Sequence, residues 1–126
     1  MKKVLVCLAA AVLGLGLTAI LAADEPKGKE KKVTIEGYIG DSMCGLDHSD
    51  MMKKHGGDAQ FSEAACVAAC VQGGAKYIVA DRAAQKTYNV KDQKKVAEYA
   101  GKKVHIEGKL EEDGNTLDIT KITLMP

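Results

Sequence analysis

From Val33 the chain alternates. Val33, Ile35 and Ile39 share one phase with Gly37, and Thr34, Glu36 and Tyr38 take the other, the two-residue period of a half-buried strand. A glycine in the inward phase predicts a bend or a close backbone approach. Similar patterns predict strands at Lys76–Asp81, Lys86–Val90, Lys103–Leu110 and Thr116–Leu124. Val104, Ile106 and Leu110 point inward in the fourth. In the fifth the apolar phase slips from Leu117 and Ile119 to Ile122 and Leu124. A one-residue slip turns side chains to the opposite face, so a bulge is expected near Thr120 and Lys121 to keep Ile122 and Leu124 inward. Glu112-Asp113-Gly114-Asn115 reads as the hairpin turn between the last two strands. Ile35, Ile78, Val104, Ile106 and Ile119 are the predicted barrel core.

Two stretches break the alternation. Between the third and fourth strands, Gln93–Ala100 carries Val96, Tyr99 and Ala100 at three- and four-residue spacing, with Asp92 before it and Gly101 after. A helix of about eight residues with Asp92 as its N-cap is expected there. Between the first and second strands lies an insertion, residues 40–75. Within it Ser62 is a candidate N-cap, Glu63 sits in the first turn, and Gly73-Gly74 ends one short helix. The order strand, insertion, strand, strand, helix, strand, strand is that of the OB-fold barrel. The expected fold is therefore mainly β: a small five-stranded OB-like barrel, residues 33–126, with a short helix between strands 3 and 4 and a helical, cysteine-containing insertion after strand 1.

The N-terminus belongs to neither pattern. Lys2 and Lys3 precede an uncharged apolar run, Val4–Ala23, that closes on Leu21-Ala22-Ala23. That is the arrangement of a secretory signal peptide, residues 1–23, cut after Ala22 or Ala23. The competing reading is a retained anchor, since about 20 apolar residues span a bilayer. Either way the two lysines stay inside and the domain is delivered outside, periplasmic or secreted; after cleavage no stable membrane span is expected. Cys7 lies too early in the run to be a lipoprotein anchor. Residues 24–32 (DEPKGKEKK) read as a solvated charged linker.

Composition narrows the function. The chain beyond the signal keeps 16 Lys and Arg against 17 Asp and Glu, a net charge of −1. No basic excess marks it for nucleic acid. With no Trp and one Phe, the core must be aliphatic and modest, and a domain of this size gains from a covalent or metal staple.

The candidate staple lies in the insertion. Cys44, Cys66 and Cys70 all fall there, an odd number for an exported chain. Cys66 and Cys70, four apart in a predicted helix, share one face with Cβ atoms about 5–6 Å apart. A disulfide needs about 3.8 Å, so the spacing suits a metal better than a mutual bridge. Cys44 and His48 are also four apart. Together Cys44, His48, Cys66 and Cys70 form a Cys₃His set, a combination used by structural zinc. His55 is a second candidate nitrogen. Thiolate-rich sites also take copper, and Met43, Met51 and Met52 are nearby soft ligands. The alternative is a disulfide from Cys44 to one helical cysteine with the other thiol left free. A Cys44 nucleophile served by His48 and Asp47 is the third reading. His105 is expected to be solvated. Tyr38, Tyr77 and Tyr88 are strand residues that either pack or offer a stacking face.

Gly37-Tyr38-Ile39-Gly40-Asp41-Ser42-Met43-Cys44-Gly45, His48, Cys66-Val67-Ala68-Ala69-Cys70-Val71 and Gly74-Ala75-Lys76-Tyr77 together resemble a group of small secreted bacterial proteins of uncharacterised function. The stretch from Ala100-Gly101-Lys102-Lys103-Val104 through Gly108 to Ile119 is similar to the last strands of periplasmic OB-fold domains. The resemblance implies an OB-like fold and a Cys/His cluster that acts as a unit, and no reaction. The leading expectation is an exported, non-enzymatic domain binding a zinc or copper ion. The alternatives are a disulfide-stapled module that binds a small ligand or a protein partner, and a thiol redox protein.

Overall fold

The computed structural model describes residues 30–55 and 61–126. The expected signal peptide and most of the expected charged linker lie outside the described residues.

Five strands form the fold: β1 (Lys31–Asp41), β2 (Tyr77–Asp81), β3 (Lys86–Val90), β4 (Lys103–Leu110) and β5 (Thr116–Leu124). They close into a barrel in the order β1-β2-β3-β5-β4. All neighbours are antiparallel except β3 and β5, which run parallel over Asn89–Val90 and Thr116–Leu117. This is the OB-like architecture the strand order predicts.

Strand β1 serves two partners. Its first part, Lys31 to Tyr38, pairs with β4, and its end, Tyr38 to Asp41, pairs with β2. Gly37 stands just before the change of partner. A Cβ there would lie 2.8 Å from the carbonyl oxygen of Ala80, so the missing side chain is what lets the backbones approach. The bulge falls on β5 as expected. Glu107 faces Lys121 and Gly108 faces Ile119, which leaves Thr120 as the extra residue. Its hydroxyl donates to the Glu107 carbonyl at 3.0 Å.

Ile35, Ile39, Val79, Val90, Val96, Val104, Ile106, Leu117 and Ile119 fill the barrel. Ile78 is also buried, but it belongs to a different set. It alternates with Val79 and so faces outward from the barrel, where Cys66, Val67 and Ala80 are likewise buried. The insertion covers this outer face of β1 and β2 and makes a second, smaller core.

Three further details differ from the sequence reading. The insertion holds two helices: α1 (Ser49–Lys54) and α2 (Glu63–Gln72). The first is announced by Asp47, whose carboxylate accepts from the Ser49 amide at 2.9 Å and from its hydroxyl at 2.7 Å. The single helix expected at 93–100 is two successive 3-10 turns, Gln93–Lys95 and Ala97–Tyr99. So short a segment gains little from α-helical propagation. It is pinned at one end by Gln93, which bonds the Tyr77 amide and the carbonyls of Tyr77 and Val90, and at the other by an Ala100–Ile39 bridge. Val96 still plugs the barrel end, and Asp92 still caps the first turn through the Lys94 amide. Leu124, read as inward, is 53% exposed. Beyond the bulge β5 pairs only with β4, so its last residues have no strand on their other side, and Leu124 at the end loses its cover.

Candidate metal centre

The end of β1 runs directly into the turn that carries Cys44. Asp41, fully buried, accepts from the Met43 amide at 2.9 Å and the Cys44 amide at 2.8 Å through Oδ1. That short-range bonding is what an Asp at a turn provides, and it orients Cys44. The insertion's two ends are tied by the Ser42 amide to the Lys76 carbonyl (2.9 Å) and the Lys76 amide to Ser42 Oγ (3.0 Å).

Helix α2 supplies the other two thiols. Ser62 Oγ accepts from the Ala65 amide at 3.1 Å and starts the helix. The helix docks with its first turn against Gly101, whose φ is +71° and whose Cβ would lie 2.4 Å from the Ala64 nitrogen. So placed, α2 holds Cys66 buried and Cys70 half-buried on one face. The sulfurs of Cys44, Cys66 and Cys70 all lie within 4.8 Å of one another. Two sulfurs bound to one ion at about 2.3 Å are about 3.8 Å apart in a tetrahedron, so small side-chain movements close this group on a metal. All three thiols are free.

His48 sits beside this group. It joins Asp41 and Cys44 in a second set of ligand atoms within 4.8 Å, with Cys44 common to both. The ring is 2% exposed. Its Nε2 lies 2.7 Å from Asp41 Oδ2, and its Nδ1 lies 3.1 Å from Glu63 Oε1. Carboxylates only accept, so both contacts are hydrogen bonds when both ring nitrogens carry hydrogens. His55, the second candidate nitrogen, stacks on Phe61 with ring centroids 4.3 Å apart. Each of the two groups, Cys44 with Cys66 and Cys70 and Cys44 with His48 and Asp41, is close enough to hold a metal ion, but His48 does not group with Cys66 and Cys70, so the expected Cys₃His set is divided between them.

Sequence reasoning gave no part in the site to three residues that organise it: Asp41, Glu63, which it placed only in the first turn of a helix, and Arg82. Glu63 bridges His48 to the Arg82 guanidinium. Arg82 also donates from Nε to the Leu46 carbonyl at 2.9 Å and lies over the Tyr38 ring, 3.9 Å from its centroid. It thereby ties the β2–β3 loop to both walls of the insertion. Arg82 is the chain's only arginine among 17 lysines, and that singularity is a usable signal, since a planar guanidinium stacks and forks where an ammonium does not.

The electrostatics oppose thiol chemistry. Burial pushes all three thiols above their ordinary range, and the Asp41 charge and neighbouring thiols add to the shift at each. Asp41 moves the other way. Burial alone would raise it, but the His48 hydrogen bond, the Cys44 and Met43 amides and the His48 charge together outweigh that and hold the carboxyl below its ordinary value. A thiol kept protonated is a poor nucleophile. Both His48 nitrogens face carboxylates, so neither is free to take the Cys44 proton. The Asp47 carboxylate is engaged by the Ser49 amide and hydroxyl at the start of α1.

Fold and site define a class: an OB-like barrel that carries, outside its wall, a three-thiol cluster backed by a buried Asp41–His48 pair that Glu63 links to Arg82. No family model, no curated protein and no solved structure matches the chain.

Proposed function

We propose that the protein is an exported, non-enzymatic metal-binding domain that holds one zinc or copper ion on Cys44, Cys66 and Cys70. His48 keeps the turn and the helix in register and lies next to the ion. The observation that carries this reading is the convergence of three sulfurs from two elements more than 20 residues apart, within 4.8 Å. Thiolate ligands suit zinc and copper, and not the hard cations. Outside the cytoplasm three neighbouring free thiols are exposed to oxidation, and a bound ion protects them.

The test uses protein recovered from the exported fraction of the cell. Its mass should correspond to a chain beginning near Asp24. It should carry one metal per chain and release three titratable thiols when denatured with chelator. Chelator should lower its stability, and Cys70→Ser should abolish stoichiometric metal. No metal, with one free thiol per chain and stability sensitive only to reductant, would reject the reading in favour of a disulfide-stapled module.

A further inference from the structure

If the three thiols hold a metal, the surroundings of the sulfurs say which ion they are built for. A closed structural zinc site takes four protein ligands, so a structural zinc on three thiolates needs a fourth from the chain. Among the described residues, the only other candidate donors grouped with any of these sulfurs are Asp41 and His48, and they group with Cys44 alone. Both are already committed. Asp41 Oδ1 accepts two amides and Oδ2 faces His48 Nε2, while His48 Nδ1 faces Glu63. Recruiting either would break a buried contact and leave a buried polar group without its partner. The uncommitted donors are all sulfur, and three sulfurs suffice for a soft monovalent ion in trigonal coordination. With bonds of about 2.3 Å, as for a metal thiolate, such a plane has sulfurs about 4.0 Å apart, within the spacing found here.

The site also opens on one side. Cys66 is buried at 1% exposure, but Cys44 and Cys70 are half-exposed, and the neighbour of Cys44 is Met43, 68% exposed. Among the described residues, an exposed apolar side chain of that size is otherwise found only at Leu124. An exposed thioether next along the chain to a half-exposed thiol is a soft ligand that an incoming copper ion can meet from solvent.

We propose that the cluster is an all-sulfur Cu(I) site, with Cys44, Cys66 and Cys70 as ligands and Met43 as the thioether through which the ion enters and leaves. This rests on the metal-binding reading above and names its ion. The ion arrives and departs as Cu(I). Each thiol that binds gives its proton to solvent, and no electron is transferred.

The experiment takes the exported protein, reduced and free of metal under anaerobic conditions, and titrates it separately with Cu(I), supplied as its acetonitrile complex, and with Zn²⁺. A competition between the two ions follows. Cu(I) should bind at one per chain, with an X-ray absorption spectrum showing three sulfur neighbours and no nitrogen, and equimolar Zn²⁺ should not displace it. Met43→Leu should keep the stoichiometry but slow copper transfer to a soluble chelator severalfold. Zinc bound through the thiols with copper excluded, or a nitrogen neighbour at the copper, would overturn the all-sulfur copper site and leave the metal-binding reading standing. Binding of neither ion would overturn both. A transfer rate unchanged by Met43→Leu would remove Met43 from the proposal.

Discussion

The Asp41–His48 pair shows how one residue's environment decides its role. A histidine four positions from a cysteine has ligand spacing, but a ring held between two carboxylates is part of the scaffold before any ion arrives. The same carboxylate that grips His48 turns the Cys44 amide, so one side chain sets both the position of a thiol and the orientation of its neighbour. The thiols carry a testable consequence of their burial. In the metal-free protein their folded values are raised by loss of solvent. Stability is then fully present below the thiol value of the unfolded chain, about 8.5, and is lost as pH rises through the folded values, because the unfolded state gives up its protons first. With metal bound the slope reverses. The folded state then holds no thiol protons while the unfolded state still does, so stability rises with pH through neutrality. Denaturant midpoints of the metal-free and metal-loaded protein between pH 6 and 10 should therefore move in opposite directions. Parallel curves would remove the thiolates from the metal site.

Helix α2 has an apolar face of alanines, valines and cysteines and no bulky anchor, so its placement depends on close approach. Gly101 provides it: the loop before β4 folds in a left-handed conformation and lets the first turn of α2 sit against bare backbone. Gly101→Ala should destabilise the protein by more than about 1 kcal/mol, since Ala is strained at positive φ, and the Cβ would collide with Ala64. Because that collision pushes on the turn ahead of Cys66, metal affinity should fall as well. Urea melts and a competitive metal titration on the same variant check both. A variant with native stability and native affinity would show that α2 is held elsewhere.

On the scale of the molecule, the barrel and the insertion are two cores sharing a wall. Val79 faces one and Ile78 the other from adjacent positions of a single strand. The barrel core is the larger, and Ile106, fully buried at its centre, should cost about 2–5 kcal/mol when cut to Ala. Below the shifted midpoint, Ile106→Ala should bind metal with unchanged stoichiometry, because the thiols lie outside the barrel. Loss of the site while the sheet signal persists would mean that the second core depends on the first more closely than their separate packing suggests.

The local pattern was enough for the five strands, for Thr120 as the neighbourhood of the bulge, and for the burial of Ile35, Ile78, Val104, Ile106 and Ile119. It also placed Cys66 and Cys70 on one helical face. These are properties of period and phase, set by which neighbours along the chain must leave water together. Tertiary structure decided the rest. Periodicity showed that Ile78 is buried, but not that it lies under the insertion and not inside the barrel. Leu124 kept the apolar phase, yet the sheet ran out of partners around it. Gln93–Ala100 had a helical face, and its anchors at Tyr77, Val90 and Ile39 drew it into tighter turns. Cys44 reached Cys66 and Cys70, Asp41 and Glu63 reached His48, and Arg82 reached Glu63, across separations of 7 to 26 residues. Such meetings depend on loop closure and on the packing of whole elements, and no sequence period records them.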